Sequence, residues 1–144
     1  MTEISFHFNA PARMDYACRL TRKALRQGVA LAACGPLDVL TEFDRQLWAF
    51  AAHEFVPHAW AERRAEVPDR LHSGTVWLSV DPLAAPSHDA LLNLGPSVPV
   101  GVESFARLYE VVSSDDADRL GARARWKAYA DRGYAIRRHE VGAP

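Results

Sequence analysis

The feature that most constrains the fold is a run of six small and apolar residues, Val29 to Cys34, enclosed by Gly28 and Gly35. A short apolar run bounded by glycines is typical of a strand buried on both faces of a sheet. Ahead of it, Ile4 to Asn9 alternates apolar and polar residues, and residues 13–27 carry apolar residues at helical spacing. This order predicts a parallel pair of strands joined by a right-handed helical crossover.

The alternation of helices and strands continues along the chain. Helical spacing predicts a helix from about Pro36 that ends before Pro57, and a polar loop is expected over His58 to Gly74. An N-cap at Ser114 followed by acidic residues predicts a helix over Ser114 to Arg132. Further strands are predicted at Thr75–Val80, Ala90–Leu94, the later half of Phe105–Val112 and, as an edge strand, Tyr134–Glu140. We therefore predict one domain over residues 1–144: a three-layer α/β/α, Rossmann-like fold with a mostly parallel, partly mixed sheet.

Composition limits the classes of protein to which this chain can belong. The 144 residues are 49% hydrophobic, which is enough for one contiguous core. No apolar run approaches the roughly 18 to 20 residues that cross a bilayer, and the N-terminus lacks a signal-peptide layout, so we expect a cytoplasmic protein without a membrane partner. Cys18 and Cys34 fall inside a predicted helix and a predicted strand, and we expect both to be buried free thiols.

The sequence shows no recognisable catalytic site. The turn from Asn9 to Arg13 has no glycine, and Gly35 lacks the further glycines that bring backbone N–H groups to a phosphate. His53 and His58 are five positions apart, which does not place them on one helix face for zinc. We predict no catalytic residue, no metal and no cofactor. An enzyme with a degenerate nucleotide fold and an unrecognised site remains an alternative.

Positive charge is concentrated near the end of the chain. Residues 119–138 have a net charge of +6, whereas the whole chain has −1. Four residues of the predicted last helix lie close to one face, at positions i, i+4, i+7 and i+8: Arg119, Arg123, Trp126 and Lys127. A cationic face with an aromatic residue favours recognition of an anionic partner. Direct binding of single-stranded DNA, with stacking on Trp126, is the other open interpretation.

A second candidate surface lies between Trp48 and Trp60. This stretch holds more large apolar side chains than a segment ending in a polar loop requires, namely Trp48, Phe50, Phe55, Val56 and Trp60. Aromatic side chains dominate the energetics of protein interfaces, so the stretch fits a partner-binding surface. The pattern alone equally allows all five to pack in the core.

Four stretches together resemble the chi subunit family of the bacterial DNA polymerase III holoenzyme. They occur in the family's order and approximate spacing: Phe6-His7-Phe8, Val29 to Cys34, Leu47-Trp48 followed by Phe55-Val56-Pro57-His58, and Ala122 to Tyr129. The resemblance implies a clamp-loader accessory protein without enzymatic activity. Such a protein is an adaptor that binds the acidic C-terminal tail of single-stranded DNA-binding protein and joins it to the clamp loader through the psi subunit, so that DNA is reached only indirectly.

The resemblance also implies roles for particular residues. Arg123, Trp126 and Lys127 match the family's tail-binding helix, and Phe55 matches the contact with psi, a surface also expected to receive a helicase partner. An acidic tail ending in an aromatic residue needs cations for its charge and an apolar slot for its ring. The predicted tail site is Arg119, Arg123, Trp126 and Lys127, and the predicted partner site is Trp48, Phe55 and Trp60.

Overall fold

The computed structural model describes residues 1–50 and 55–141, which form a seven-stranded sheet with helices on both faces. In chain order the elements are β1 (Glu3–Ala10), α1 (Arg13–Arg26), β2 (Leu31–Cys34), α2 (Leu37–Ala49), β3 (His58–Trp60), β4 (Val76–Ser79), β5 (Ala90–Asn93), β6 (Arg107–Ser113), α3 (Asp116–Asp131) and β7 (Ile136–Glu140). Short 3₁₀ helices occupy Ala61–Glu66, Asp69–Gly74, Pro82–Ala84 and Val102–Ser104. None of the helices in these two ranges is both long enough and apolar enough to cross a membrane.

The strand order is β3-β4-β2-β5-β6-β1-β7, and all six neighbouring pairs are parallel. The predicted α/β fold is confirmed, but the partly mixed sheet is not: no antiparallel pair occurs among the described strands. A Pro-rich segment separates β4 from β5. Instead of turning back as a hairpin, that segment carries the chain past β2, so β5 pairs parallel on the far side of β2.

Each face of the sheet has its own apolar layer. Alternate side chains of β1 point to the face covered by α3, where Phe6 and Phe8 pack with Tyr129 and Trp126. Helices α1 and α2 cover the opposite face. Strand β2 contributes to both layers and all four of its residues are buried, which confirms its predicted place inside the sheet. The N-terminal strand is therefore a core strand as well as a neighbour of the last helix.

The two cysteines are free and buried, as predicted. Cys18 lies on α1 and Cys34 ends β2. Burial raises the pKa of each thiol to about 12, so neither is a reactive thiolate at neutral pH.

The segment predicted as a loop between His58 and Gly74 is more ordered than expected. His58–Trp60 adds β3 as a parallel edge strand beside β4, and two 3₁₀ helices follow. A three-residue strand is too short to show a period of two, which is why the sequence pattern missed it. Strand β7 is the opposite edge of the sheet, as predicted for the end of the chain.

Candidate functional site

Helix α3 carries all four residues of the predicted tail site, and its start is fixed by a cap. The cap is Asp115, whose carboxylate accepts a hydrogen bond from the Asp118 N–H at 3.2 Å; the predicted cap, Ser114, lies one residue too early. Asp118 in turn accepts a hydrogen bond from the Ser113 N–H at 2.8 Å. Acidic residues in the first turn also complement the positive end of the helix dipole. These contacts join α3 directly to the end of β6.

A buried polar network holds the middle of α3 against the sheet. Glu110 of β6 is fully buried and accepts hydrogen bonds from Arg125 Nε at 3.0 Å, the Tyr129 hydroxyl at 2.7 Å and Asn93 Nδ2 at 3.0 Å. Burial raises the pKa of Glu110, and the Arg125 charge and these hydrogen bonds oppose that rise. Burial, followed by the Glu110 charge, raises the pKa of Tyr129. The network fixes which face of α3 points outward.

A cavity of about 270 Å³ opens between α3 and the neighbouring ends of β1 and β7. It is lined by Phe8, Asn9, Arg119, Arg123, Trp126 and Arg138. Three of the four predicted tail-site residues are thus brought together. The Trp126 ring forms an apolar wall, with its centroid 5.0 Å from that of Phe6 and 6.0 Å from that of Phe8. The arrangement places guanidinium groups beside an aromatic surface, which suits a ligand with both an anionic and an apolar group.

Sequence reasoning missed three cavity residues: Phe8, Asn9 and Arg138. Parallel pairing of β1 and β7 places Arg138 opposite Phe6 and Glu140 opposite Phe8. The Arg138 guanidinium carbon lies 4.3 Å from the centroid of the Phe8 ring, a cation–π contact. Arg138 was part of the predicted cationic segment. Only the pairing of the first strand with the last shows that its charge joins that of α3.

Two of the four cations on α3 do not line the cavity. Lys127 is not among its lining residues; its side chain is 76% exposed and pairs with Asp131 at 3.0 Å. With 3.6 residues per turn, Lys127 lies roughly 100° around the helix from Trp126, which turns it away from β1. Arg125 is buried in its pair with Glu110. Fewer cations therefore face the cavity than the net charge of residues 119–138 suggests.

The carboxylate of Glu140 lies beside the cavity and is held by two of its lining residues, Arg138 and Asn9. Glu140 Oε1 accepts hydrogen bonds from Arg138 Nε at 3.0 Å and Nη2 at 2.6 Å, and Oε2 accepts one from Asn9 Nδ2 at 2.5 Å. The hydrogen bond from Arg138, then that from Asn9, lowers the pKa of Glu140, and the charge of Arg119 acts in the same direction. Asn9 has a positive φ of 62°, a conformation that asparagine tolerates better than most residues.

The predicted partner-site residues also lie together, near the opposite edge of the sheet. Trp48 is 62% and Phe55 69% exposed, and their ring centroids are 5.6 Å apart. Trp60 is half-buried and shares with Trp48 a cavity of about 280 Å³. Core packing is thus the wrong interpretation for Trp48 and Phe55 and the right one for Val56, which is buried. We call Trp48, Phe55 and Trp60 the aromatic patch.

The place where α/β folds usually bind nucleotides is narrow in this protein. Such ligands lie at the carboxyl ends of central strands. At the ends of β2 and β5, a Cβ placed on Gly35 would lie 3.2 Å from the backbone nitrogen of Gly95, and the cavity beside them measures about 160 Å³. Its lining includes four prolines: Pro36, Pro82, Pro96 and Pro99. Within residues 1–50 and 55–141 no three potential metal ligands gather, and His53 lies outside the described residues.

Fold and site together define the class: an all-parallel α/β protein with a cavity lined by arginine and aromatic side chains beside α3 and an exposed aromatic patch near the opposite edge of the sheet. Residues 1–137 match the family described as "DNA polymerase III chi subunit, HolC", and the chain belongs to this family. It is 33% identical over 146 residues to a protein of Pseudomonas aeruginosa named DNA polymerase III subunit chi, with 98% of each chain covered. A protein of Haemophilus influenzae with the same name is 30% identical over 129 residues, covering 89% of this chain and 87% of the relative.

Proposed function

We propose that this protein is a non-catalytic adaptor in DNA replication, with one chi-like domain over residues 1–144 and the cytoplasm as its expected location. The α3 cavity binds the acidic C-terminal tail of single-stranded DNA-binding protein. The aromatic patch binds the clamp loader, through psi or an equivalent partner. The supporting observation is that the cavity borders β7 and the patch borders β3, the two edges of the seven-stranded sheet. Six spacings of about 4.8 Å separate the edges by roughly 30 Å, so both ligands fit at once.

The chemistry of the cavity supports a tail that ends in an aromatic residue. Arg119 and Arg123 lie one turn apart on α3 and offer planar donor groups that match carboxylates. Phe8 and Trp126 supply the apolar wall for a terminal ring. A free C-terminal carboxylate beside an aromatic side chain satisfies both halves of the cavity. Single-stranded DNA would satisfy the cationic half with its phosphates and would reach the apolar wall only by stacking a base on Trp126.

Titration of the protein with labelled tail peptides by fluorescence anisotropy tests the cavity ligand. We expect the native tail peptide to bind, and an amidated C-terminus or removal of the last residue to weaken binding by about 10-fold each, since each loses one charge-assisted contact or one buried ring. An oligonucleotide should bind weakly and lose its affinity steeply with salt. An oligonucleotide that binds more tightly than the native peptide would favour the direct DNA-binding alternative.

Phe55→Ala tests the aromatic patch. Because Phe55 is largely exposed, we expect its removal to weaken capture of the psi-containing clamp loader by roughly 30-fold, as for an interface hot spot, and to leave urea unfolding unchanged. Leu37→Ala is the matched control. It removes an exposed apolar side chain at the start of α2, away from the aromatic patch, and this variant should bind like the parent. Unchanged capture by Phe55→Ala on a biosensor surface would remove the patch from the proposal.

A further inference from the structure

Three residues of the α3 cavity already interact with a carboxylate of the same chain. Arg138 and Asn9 both line the cavity and both donate hydrogen bonds to Glu140. Arg119, a third lining residue, attracts the same carboxylate and contributes to the lowered pKa of Glu140. In the free protein these residues therefore hold a carboxylate, which is the same chemical group as in the acidic ligand that the cavity is suited to bind.

Arg138 is the residue for which the two carboxylates would compete. Its guanidinium is held over the Phe8 ring, 4.3 Å from the ring centroid, so it lies against the apolar wall where a terminal aromatic residue would seat. Two of its nitrogens donate to Glu140 Oε1. A second carboxylate arriving at the same guanidinium is repelled by Glu140 and must share or replace that contact.

We propose that Glu140 is an internal competitor for the peptide: it holds Arg138 in the free protein, and a bound acidic peptide takes Arg138 over. The inference rests on the proposed tail-binding function. Asn9 can keep its hydrogen bond to Glu140 while Arg138 turns to the ligand, so the displaced carboxylate retains one donor. The ligand class that this arrangement favours is a peptide with several carboxylates close to its terminal aromatic residue, because a single carboxylate gains little by replacing another.

The exposure of Glu140 limits how strongly its charge can weaken peptide binding. The Glu140 side chain is 39% exposed, so its repulsion of a ligand is screened by water and salt. We therefore expect removal of its charge to increase peptide affinity by about 3- to 10-fold at low ionic strength, and by less at high ionic strength. If Glu140 merely positioned Arg138 for binding, removal of its charge would lower the peptide affinity instead.

Glu140→Gln shows whether the charge of Glu140 raises or lowers peptide affinity, because the amide keeps the size of the side chain and loses the charge. The tail peptide should bind this variant more tightly than the parent by anisotropy. Glu3→Gln, an exposed acid at the opposite end of β1, is the matched control and should bind like the parent. Arg138→Ala should weaken binding, and in the Arg138→Ala background the gain from Glu140→Gln should fall below about 2-fold, since the two changes remove one shared interaction.

A second measurement does not use the peptide. In NMR titrations of the free protein, Arg138→Ala should raise the pKa of Glu140 toward its ordinary value, because the largest cause of its lowering is removed. An unchanged pKa overturns the inference whatever the peptide does. If the parent binds the peptide and Glu140→Gln binds equally or less tightly, this inference alone fails. If the parent does not bind the peptide, the proposed function fails first.

Discussion

Arg125→Met is expected to lower the free energy of unfolding by about 3 to 5 kcal/mol, the cost of removing one partner from a buried ion pair. The side chain of Arg125 is 5% exposed and that of Glu110 is not exposed, so water cannot replace the lost cation. Arg125 Nη1 also donates to the carbonyl of Pro96 at 3.1 Å, and that acceptor loses its partner as well. Methionine retains much of the length of arginine, which keeps the volume change small.

Urea unfolding followed by circular dichroism measures the loss. Arg132→Met removes an exposed arginine just after α3 and should change the free energy of unfolding by no more than about 0.5 kcal/mol. Adding Glu110→Leu to Arg125→Met should recover part of the stability, because the buried carboxylate is then gone too. A loss below about 1 kcal/mol for Arg125→Met would show that the pair contributes little to the fold.

Arg123→Ala is expected to weaken binding of the tail peptide by roughly 10-fold to 150-fold, the equivalent of one charge-assisted contact of about 1.5 to 3 kcal/mol. Arg123 is exposed and lines the cavity, so the change should not affect folding. Arg123→Lys should restore only part of the affinity, because a point charge does not reproduce a planar pair of donors. Anisotropy of the labelled peptide at two salt concentrations measures both variants.

Lys127→Ala provides the comparison that separates position from charge. It removes the same unit charge from the same helix, but Lys127 points away from the cavity and pairs with Asp131. We expect a loss of no more than about 3-fold, the size of a screened surface interaction. Equal losses for Lys127→Ala and Arg123→Ala would show that the tail follows the outer surface of α3. Parent-like binding by Arg123→Ala would show that α3 is not the tail site.

The parts of this structure that were predictable from sequence are those set by neighbouring residues. The spacing of Arg119, Arg123 and Trp126 places them on one helix face, and the structure shows them around one cavity. Phe8 and Arg138 complete that cavity only because the first and last strands pair, and no local pattern carries information about that pairing. Local spacing therefore predicts the α3 wall of the site and not the wall that β1 and β7 supply.

Burial was harder to predict than secondary structure. Arg125 contributes to the positive charge of residues 119–138, but its environment is decided by Glu110 on β6. Trp48 and Val56 both belong to the same apolar stretch, and the structure exposes the first and buries the second. Whether such a side chain is covered depends on distant segments. The composition of its own stretch therefore left both interpretations open.

The position of β1 between β6 and β7 has a consequence for how the protein is made. Asn9 and Glu140, which meet beside the cavity, are 131 positions apart, so the ribosome produces the β1 wall of the site long before the β7 wall. Strand β1 has no neighbour until β6 is made and gains its second neighbour only with β7, and contacts of such long range form slowly. A chain that stops before β7 lacks Arg138, the residue that β7 contributes to the lining of the cavity.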